Sequence, residues 1–371
     1  MYGKPTDIVE AAQPEGGPNR PHGIPPWLRL RIRHDRSGVW ILNGVILLFL
    51  ACTAPNFFAE GNLEAVLNDT AILGIGAAGM TILIIAGAFD LSVTAIMGLA
   101  PIVALTVAGN GDGGMIVLVS VLTGAALGIV NGLIVTLGRV APFVATLGTL
   151  FVFGSLGAII SKGDALTVTN AFVLQLGNGA VLDVIPYSFL IMLVVCGLCY
   201  IFLQRLHFGR WVRAAGSNLR ASHVSGIDLR LVYIGIFVVS GALTGLAGII
   251  LTGYLASAVA TQSPNYNLDA IAAVVVGGTS LAGGEGTLVG TVLASWLFAA
   301  VNNGLVLLRV NSYWQYLATG VILVLALSLG LLGLGGTLWR RSGLRASGLV
   351  ARGQLQPPGT GSASTTAPVE E

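Results

Sequence analysis

Charge is what this sequence has least of. Only 9% of its 371 residues are Asp, Glu, Lys or Arg, where a soluble domain carries about 25%. Lysine is nearly missing, present only as Lys4 and Lys162, so arginine supplies almost all of the positive charge. With 54% hydrophobic residues and a mean hydropathy of +0.86, this scarcity excludes an ordinary cytosolic enzyme, a nucleic-acid binder and a disordered chain. A spanning helix takes about 20 consecutive apolar residues, so the chain has room for about ten spans plus tails. The expectation is an all-α, polytopic membrane bundle.

Catalytic and nucleotide-binding patterns are missing too. No Gly-x-x-x-x-Gly-Lys-Ser/Thr loop is present to cradle a phosphate, so ATP binding by this chain is not expected. Neither His-Glu-x-x-His nor Gly-x-Ser-x-Gly occurs. The four histidines, His22, His34, His207 and His223, fall in a tail or in a basic loop. No catalytic residue, resident cofactor or metal is expected. The three cysteines, Cys52, Cys196 and Cys199, all lie in apolar runs, and Cys196-x-x-Cys199 has no His or carboxylate neighbour. They read as small buried apolar residues. Ion-driven carriers keep ionisable groups deep in the membrane. Here Asp69, Asp90, Asp269 and Glu285 stand near the ends of apolar segments, where an Asp can cap helix amides. A path with few deep charges suits an uncharged polar solute.

What is there is a succession of apolar segments between two polar tails. Residues 1–36 are rich in Pro, Gly and Arg and lack an early apolar core, so they read as a cytoplasmic tail rather than a cleavable signal. Residues 339–371 read as a second tail, leaving 37–338 as the membrane domain. Spans are expected near 39–58, 66–87, 92–109, 115–137, 141–161, 185–204, 230–252, 271–284, 287–308 and 313–335. Pro101 should interrupt the third and Gly277-Gly278 the eighth. With both termini inside, every Lys and Arg except Lys162 and Arg309 falls on the cytoplasmic side, as positively charged loops prefer. A faint repeat runs through the chain. Asn131-Gly132-Leu133 parallels Asn303-Gly304-Leu305, each followed by an arginine (Arg139, Arg309), with Asp90 and Asp269 upstream. Either a common dipeptide recurs by chance, or two five-span halves are inverted relative to one another.

Within the spans, Asp90, Ser92, Asn131, Thr146, Thr149, Thr279, Ser280, Trp296, Asn302, Asn303 and Gln315 can hydrogen-bond a hydroxyl-rich solute. Residue by residue, the plainer role is interhelical hydrogen bonding, worth about 0.6 kcal/mol. The glycine-broken stretches around Gly87–Val93 and Gly277–Gly286 point more directly to a transport path. The most distinctive stretch is the basic loop 205–229. Its composition is helical up to Gly216, a break follows at Gly216-Ser217-Asn218, and a second short helix fits beyond. Such a hook suits either a cytoplasmic partner or anionic lipid headgroups reached by Arg210, Arg213 and Arg220.

At this loop the sequence resembles the permease subunits of bacterial ribose-type sugar ABC importers. The family pattern is carried by Gly209, Arg210, Ala214, Gly216, Asn218, Ala221, Ser225, Gly226 and Ile227, with Arg213 and Ser217 standing where the family often has Tyr and Gly. Asp269–Leu281 with Gly283-Gly284 matches a second motif, and Leu147-Gly148-Thr149 after Pro142-Phe143 a third. Gly87–Thr94 is a looser version of a fourth. The resemblance implies an inner-membrane permease homodimer or heterodimer, with ATP and Mg held by a separate cytoplasmic ATPase and a sugar-binding protein docking outside. It also implies that the loop 205–229 receives the ATPase stroke, through Gly209, Arg210, Arg213, Ala214, Gly216, Asn218, Ser225 and Gly226. The solute would be a monosaccharide or polyol moved by alternating access. The other reading is an autonomous carrier that needs no ATPase.

Overall fold

The computed structural model describes residues 37–324, apart from 183, 264, 312, 315, 316, 318, 319, 322 and 323. Both expected tails, Gln315 and most of the expected span at 313–335 lie outside the described residues. Among those described, the chain is helical almost throughout. Helix α1 (Ser37–Thr53) is followed by α2 (Glu60–Ile85), α3 (Val93–Ala108), α4 (Gly113–Thr136) and α5 (Pro142–Ser161). A short excursion holds β1 (Leu166–Thr167), α6 (Ala171–Asn178), β2 (Ala180–Val181) and β3 (Ile185–Pro186). Then come α7 (Tyr187–Arg205), α8 (His207–Ser217), α9 (Leu219–Val224) and α10 (Leu229–Tyr254). β4 (Ser257–Ala258), α11 (Tyr266–Val276) and α12 (Leu288–Leu307) follow.

Six of these, α2, α4, α5, α7, α10 and α12, are long and apolar enough to cross a bilayer, and α1, α3 and α11 are shorter apolar helices. The protein is a polytopic helical membrane protein. Two sequence expectations are corrected. Helix α3 runs unbroken through Pro101. The eighth apolar segment begins at Tyr266 rather than 271, and its helix stops at Val276.

Inside a bilayer lipid is as apolar as leucine, so helices associate through close packing and hydrogen bonds rather than through hydrophobic burial. The sequence supplies both. Helix α2 is the central post, with 94% of its apolar window buried. A side chain at Gly76 would strike the Tyr266 hydroxyl, and one at Gly79 would meet the Ser240 backbone at 2.9 Å. Helices α4 and α10 form the tightest seam. Gly124, Gly128 and Gly132 recur one turn apart on α4 and lie against the backbone of Gly241, Phe237 and Ile234. Ser120 Oγ donates to the Gly245 carbonyl at 2.8 Å along the same seam. Outward faces are apolar, with Leu118 and Leu122 on α4, Phe151 and Val152 on α5, and Leu193 and Val194 on α7 all exposed.

One end of the bundle gathers Arg139, Arg205, Arg210, Arg213, Arg220 and Arg230. At the other, β1 pairs antiparallel with β4 (Leu166↔Ala258, Thr167↔Ser257), and Gly177 of α6 packs on the Tyr254 backbone.

Candidate functional site

The arginine-rich end is built around the hook formed by α8 and α9. A side chain at Gly209 would collide with the Phe202 and Leu203 carbonyls, so glycine is what lets α8 turn back directly under α7. Phe208 seals this corner, its ring 5.4 Å from that of Phe202. Val212 and Ala215 are buried toward the bundle, while Arg210 and Trp211 face out. Asn218, in extended conformation, ends α8 and caps α9 by accepting the Ala221 N–H at 2.9 Å. The expected break therefore falls at Asn218. Ser225 Oγ donates back to the Ala221 carbonyl at 2.9 Å. Gly226 then takes φ +81°, a left-handed turn open to glycine at no steric cost. Asp228 caps α10 through the Arg230 N–H at 2.9 Å. The outer face of the hook carries Arg210, Trp211, Leu219, Arg220 and Val224, the last 82% exposed. Basic side chains thus rim a set of uncovered apolar groups. Arg213 and Ala214 are half-buried on the inner side.

Gly216 brings the hook to the membrane segments. A Cβ there would overlap the Ile85 carbonyl oxygen at the end of α2 and sit 2.6 Å from the Gly284 nitrogen. The Gly284 N–H donates to that same carbonyl at 2.7 Å. Gly284 belongs to the irregular stretch 277–287 between α11 and α12, which folds on itself through Ser280 N–H to the Glu285 carbonyl at 3.0 Å. The Tyr233 hydroxyl of α10 donates to the Ala86 carbonyl, one residue beyond Ile85, at 3.2 Å. Three motifs far apart in sequence (the hook, the turn at Gly87 and the Gly283-Gly284 break) thus share one backbone contact. Ile85 was not singled out from the sequence. It contributes its carbonyl, so its residue type carries no signal.

A second constellation lies where α3 begins. Asp90 is completely buried, and its Oδ1 accepts from the Ser92 amide at 2.8 Å and the Ser92 hydroxyl at 2.6 Å. Asn131 Nδ2 donates to Ser92 Oγ at 2.7 Å, and Thr149 Oγ1 donates to Asn131 Oδ1 at 2.7 Å. Thr146 turns its hydroxyl to the Pro142 carbonyl at 2.8 Å. Four of the sequence-chosen residues, Asp90, Ser92, Asn131 and Thr149, therefore form one chain of hydrogen bonds pinning the α2–α3 turn to α4 and α5, with Thr146 buried one turn before Thr149 on α5. Asp90 accepts from the Ser92 amide in the turn before α3, and among the described residues no amide of the helix itself is capped by a side chain.

The other candidates are dispersed. Asn303 exchanges hydrogen bonds with Asn62 at 2.9 Å in both directions. Asn302 is half-buried beside it, and Trp296 packs against the apolar cluster that includes Leu50, Phe57, Val66 and Ala300. Ser280 lies in the folded stretch after α11, and Thr279 is buried there with its hydroxyl unbonded among the described residues. Cys196 and Cys199 are buried against the main core, whereas Cys52 on α1 is exposed, contrary to expectation. Two carboxylates depart from expectation. Asp69 lies well inside α2 rather than at its end. Asp269 sits in the first turn of α11 and is not its cap, which is Asn265. A buried bridge that the sequence reading missed joins Asn68 to the Gly177 carbonyl at 2.6 Å and to Ser188.

Residues 62–327 match the family described as branched-chain amino acid transport system / permease component. The chain belongs to this permease family. It is 38% identical over 288 residues to the ribose import permease protein RbsC of Bacillus subtilis (strain 168), covering 77% of this chain and 89% of that one. Against RbsC of Escherichia coli (strain K12) it is 37% identical over 287 residues, 76% of this chain and 89% of the relative. The galactose/methyl galactoside import permease protein MglC of Escherichia coli (strain K12) is 31% identical over 317 residues, 79% of this chain and 93% of the relative. No solved structure is significantly similar. The likeness to ribose-type ABC permeases carried by the four motifs is therefore borne out, and so is the membrane character expected from composition.

Proposed function

We propose that this chain is the membrane-spanning subunit of an ABC importer that moves a monosaccharide or related polyol inward by alternating access. The observation that carries the reading is the contact of Gly216 with Ile85 and Gly284. It gives an outside force on the hook a rigid path to the end of α2 and to the break between α11 and α12. A movement driven by a partner needs contacts that differ between states, and the exposed Arg210, Trp211, Arg220 and Val224 offer them to a cytoplasmic ATPase. ATP and Mg stay on that partner. A second permease and an extracytoplasmic sugar-binding protein complete the assembly in the bacterial inner membrane.

The arginine-rich end is then cytoplasmic, ten spans bring both termini to it, and the chain consists of two inverted halves. Support for the inversion comes from matching order and length. Helices α2 and α10 each have 26 residues, each is followed by a break, a shorter helix and a long one, and Arg139 and Arg309 both take positive φ, +54° and +55°.

Reconstitution tests the reading. Proteoliposomes holding the permease with its ATPase and binding protein should accumulate ribose or galactose only with ATP. Uptake by the permease alone would establish the autonomous carrier instead.

A further inference from the structure

The eleven residues between α10 and α11 leave the outer end of the bundle after β4 and turn inward. The Tyr266 hydroxyl donates to the Ile72 carbonyl at 2.8 Å, and Ile72 lies midway along α2, about 20 Å from its Ile85 end. The Asn267 N–H donates to Thr94 Oγ1 at 3.1 Å, in the first turn of α3. Gln262 Nε2 donates to the Met97 carbonyl at 2.8 Å, and Ala260 packs on Gly98. These ties hold the start of α11 at half depth, so α11 crosses only the half of the bundle nearer the arginines. Irregular backbone at that depth is tolerated only when buried in protein or when it lines water.

Tyr266 and Ala270 point into the core. The other side of the stretch 265–269 is open, with Leu268 43% exposed and Asn265, Asn267 and Asp269 half-buried. Among the described residues, the side chains of Asn265 and Asp269 make no hydrogen bond, and Asn267 uses only its Oδ1, to the Leu268 N–H at 2.9 Å. A carboxylate and two amides with spare hydrogen-bonding capacity cannot face hydrocarbon. Where α4 and α5 are open at mid-length they present Leu122, Phe151 and Val152.

We propose that the stretch 265–269 forms part of the wall of the water-filled solute path, and that Asn265, Asn267 and Asp269 hydrogen-bond the hydroxyls of the sugar in transit. The proposal rests on the importer reading and names its solute contacts. An ionised carboxylate accepts from two neighbouring hydroxyls, and amides both donate and accept. This matches a neutral polyol and disfavours sugar acids and phosphates.

The test is labelling by a membrane-impermeant, charged methanethiosulfonate on the assembled transporter in membranes, with Cys52, Cys196 and Cys199 replaced by Ala. Asn267→Cys, Asp269→Cys and the milder Leu268→Cys are compared with Leu122→Cys on the apolar face of α4. The expected result is labelling at least tenfold faster than Leu122→Cys, slowed severalfold by at least one member of a panel of pentoses, hexoses and polyols. Labelling no faster than Leu122→Cys at all three positions overturns the proposal. Fast labelling that no sugar slows overturns the solute contact. Labelling does not depend on uptake, so loss of ATP-driven transport by the parent transporter would strike the importer reading separately.

Discussion

Gly216→Ala is the smallest change that tests how motion reaches the membrane segments. Alanine would ordinarily help, since glycine inside a helix costs about 1 kcal/mol relative to it, and Gly216 lies within α8. The structure reverses the sign. The added methyl would overlap the Ile85 carbonyl oxygen and stand 2.6 Å from the Gly284 nitrogen, both backbone atoms that cannot rotate away. Relief requires the end of α8 to lift. Overpacking of this kind costs about 1–3 kcal/mol, and separating the 2.7 Å Gly284–Ile85 hydrogen bond costs about 1 kcal/mol more. The net penalty of about 1–3 kcal/mol depletes the docked arrangement by roughly 5- to 150-fold. Arg210, Trp211 and Arg220 stay on the outer face, so the ATPase should still bind. The expected signature in proteoliposomes is continued ATP hydrolysis with uptake reduced at least fivefold. Gly148→Ala is the control, because nothing lies within 4 Å of a Cβ there. Full uptake by Gly216→Ala would refute the proposed path.

Two further outcomes follow from the same geometry. Arg210→Glu reverses a charge on the exposed face without touching Gly216 and should cut co-purification of the ATPase at least tenfold while membrane insertion is retained; co-purification at the parent level would return the hook to a lipid anchor. Asn131→Ala removes both the donor to Ser92 and the acceptor of Thr149, costing about 2–4 kcal/mol through buried groups left unpaired. It should lower the thermal midpoint in detergent clearly more than Asn302→Ala, which breaks no described bond.

The spans were legible because twenty apolar residues have few other uses, and the hook because Gly216-Ser217-Asn218 is a helix stop whatever surrounds it. What could not be read was depth. The run Gln262, Ser263, Asn265 and Asn267 is polar, and polar residues between apolar runs ordinarily lie outside the membrane. Here they are held inside by partners distant in sequence, such as Ile72, Thr94 and Met97. The convergence of Gly216, Ile85 and Gly284 was hidden for the same reason. Each glycine is recognisable as a site of close approach, but the backbone that approaches it belongs to another element.

Pro101 and Gln262 show that mechanism at a single atom. Proline has no N–H, so inside α3 it leaves the carbonyl four residues back without its helical partner, and on sequence alone that reads as an interruption. The carbonyl four residues back is that of Met97, the one that receives Gln262 Nε2 at 2.8 Å. The side chain supplies the donor that proline withholds, so the helix continues and the irregular stretch before α11 gains its anchor. Gln262→Leu should therefore cost about 1–3 kcal/mol by leaving a buried carbonyl unpaired. In a Pro101→Ala background the backbone N–H restored at that position can close the helical bond itself, and the share of the cost owed to the Met97 carbonyl should disappear. What remains is the share of the longer bonds that Gln262 Oε1 accepts from the Thr252 hydroxyl at 3.4 Å and the Val259 N–H at 3.5 Å. The cycle is measured by thermal unfolding of the four proteins in one detergent. An equal cost of Gln262→Leu in both backgrounds would refute the substitution of one donor for the other.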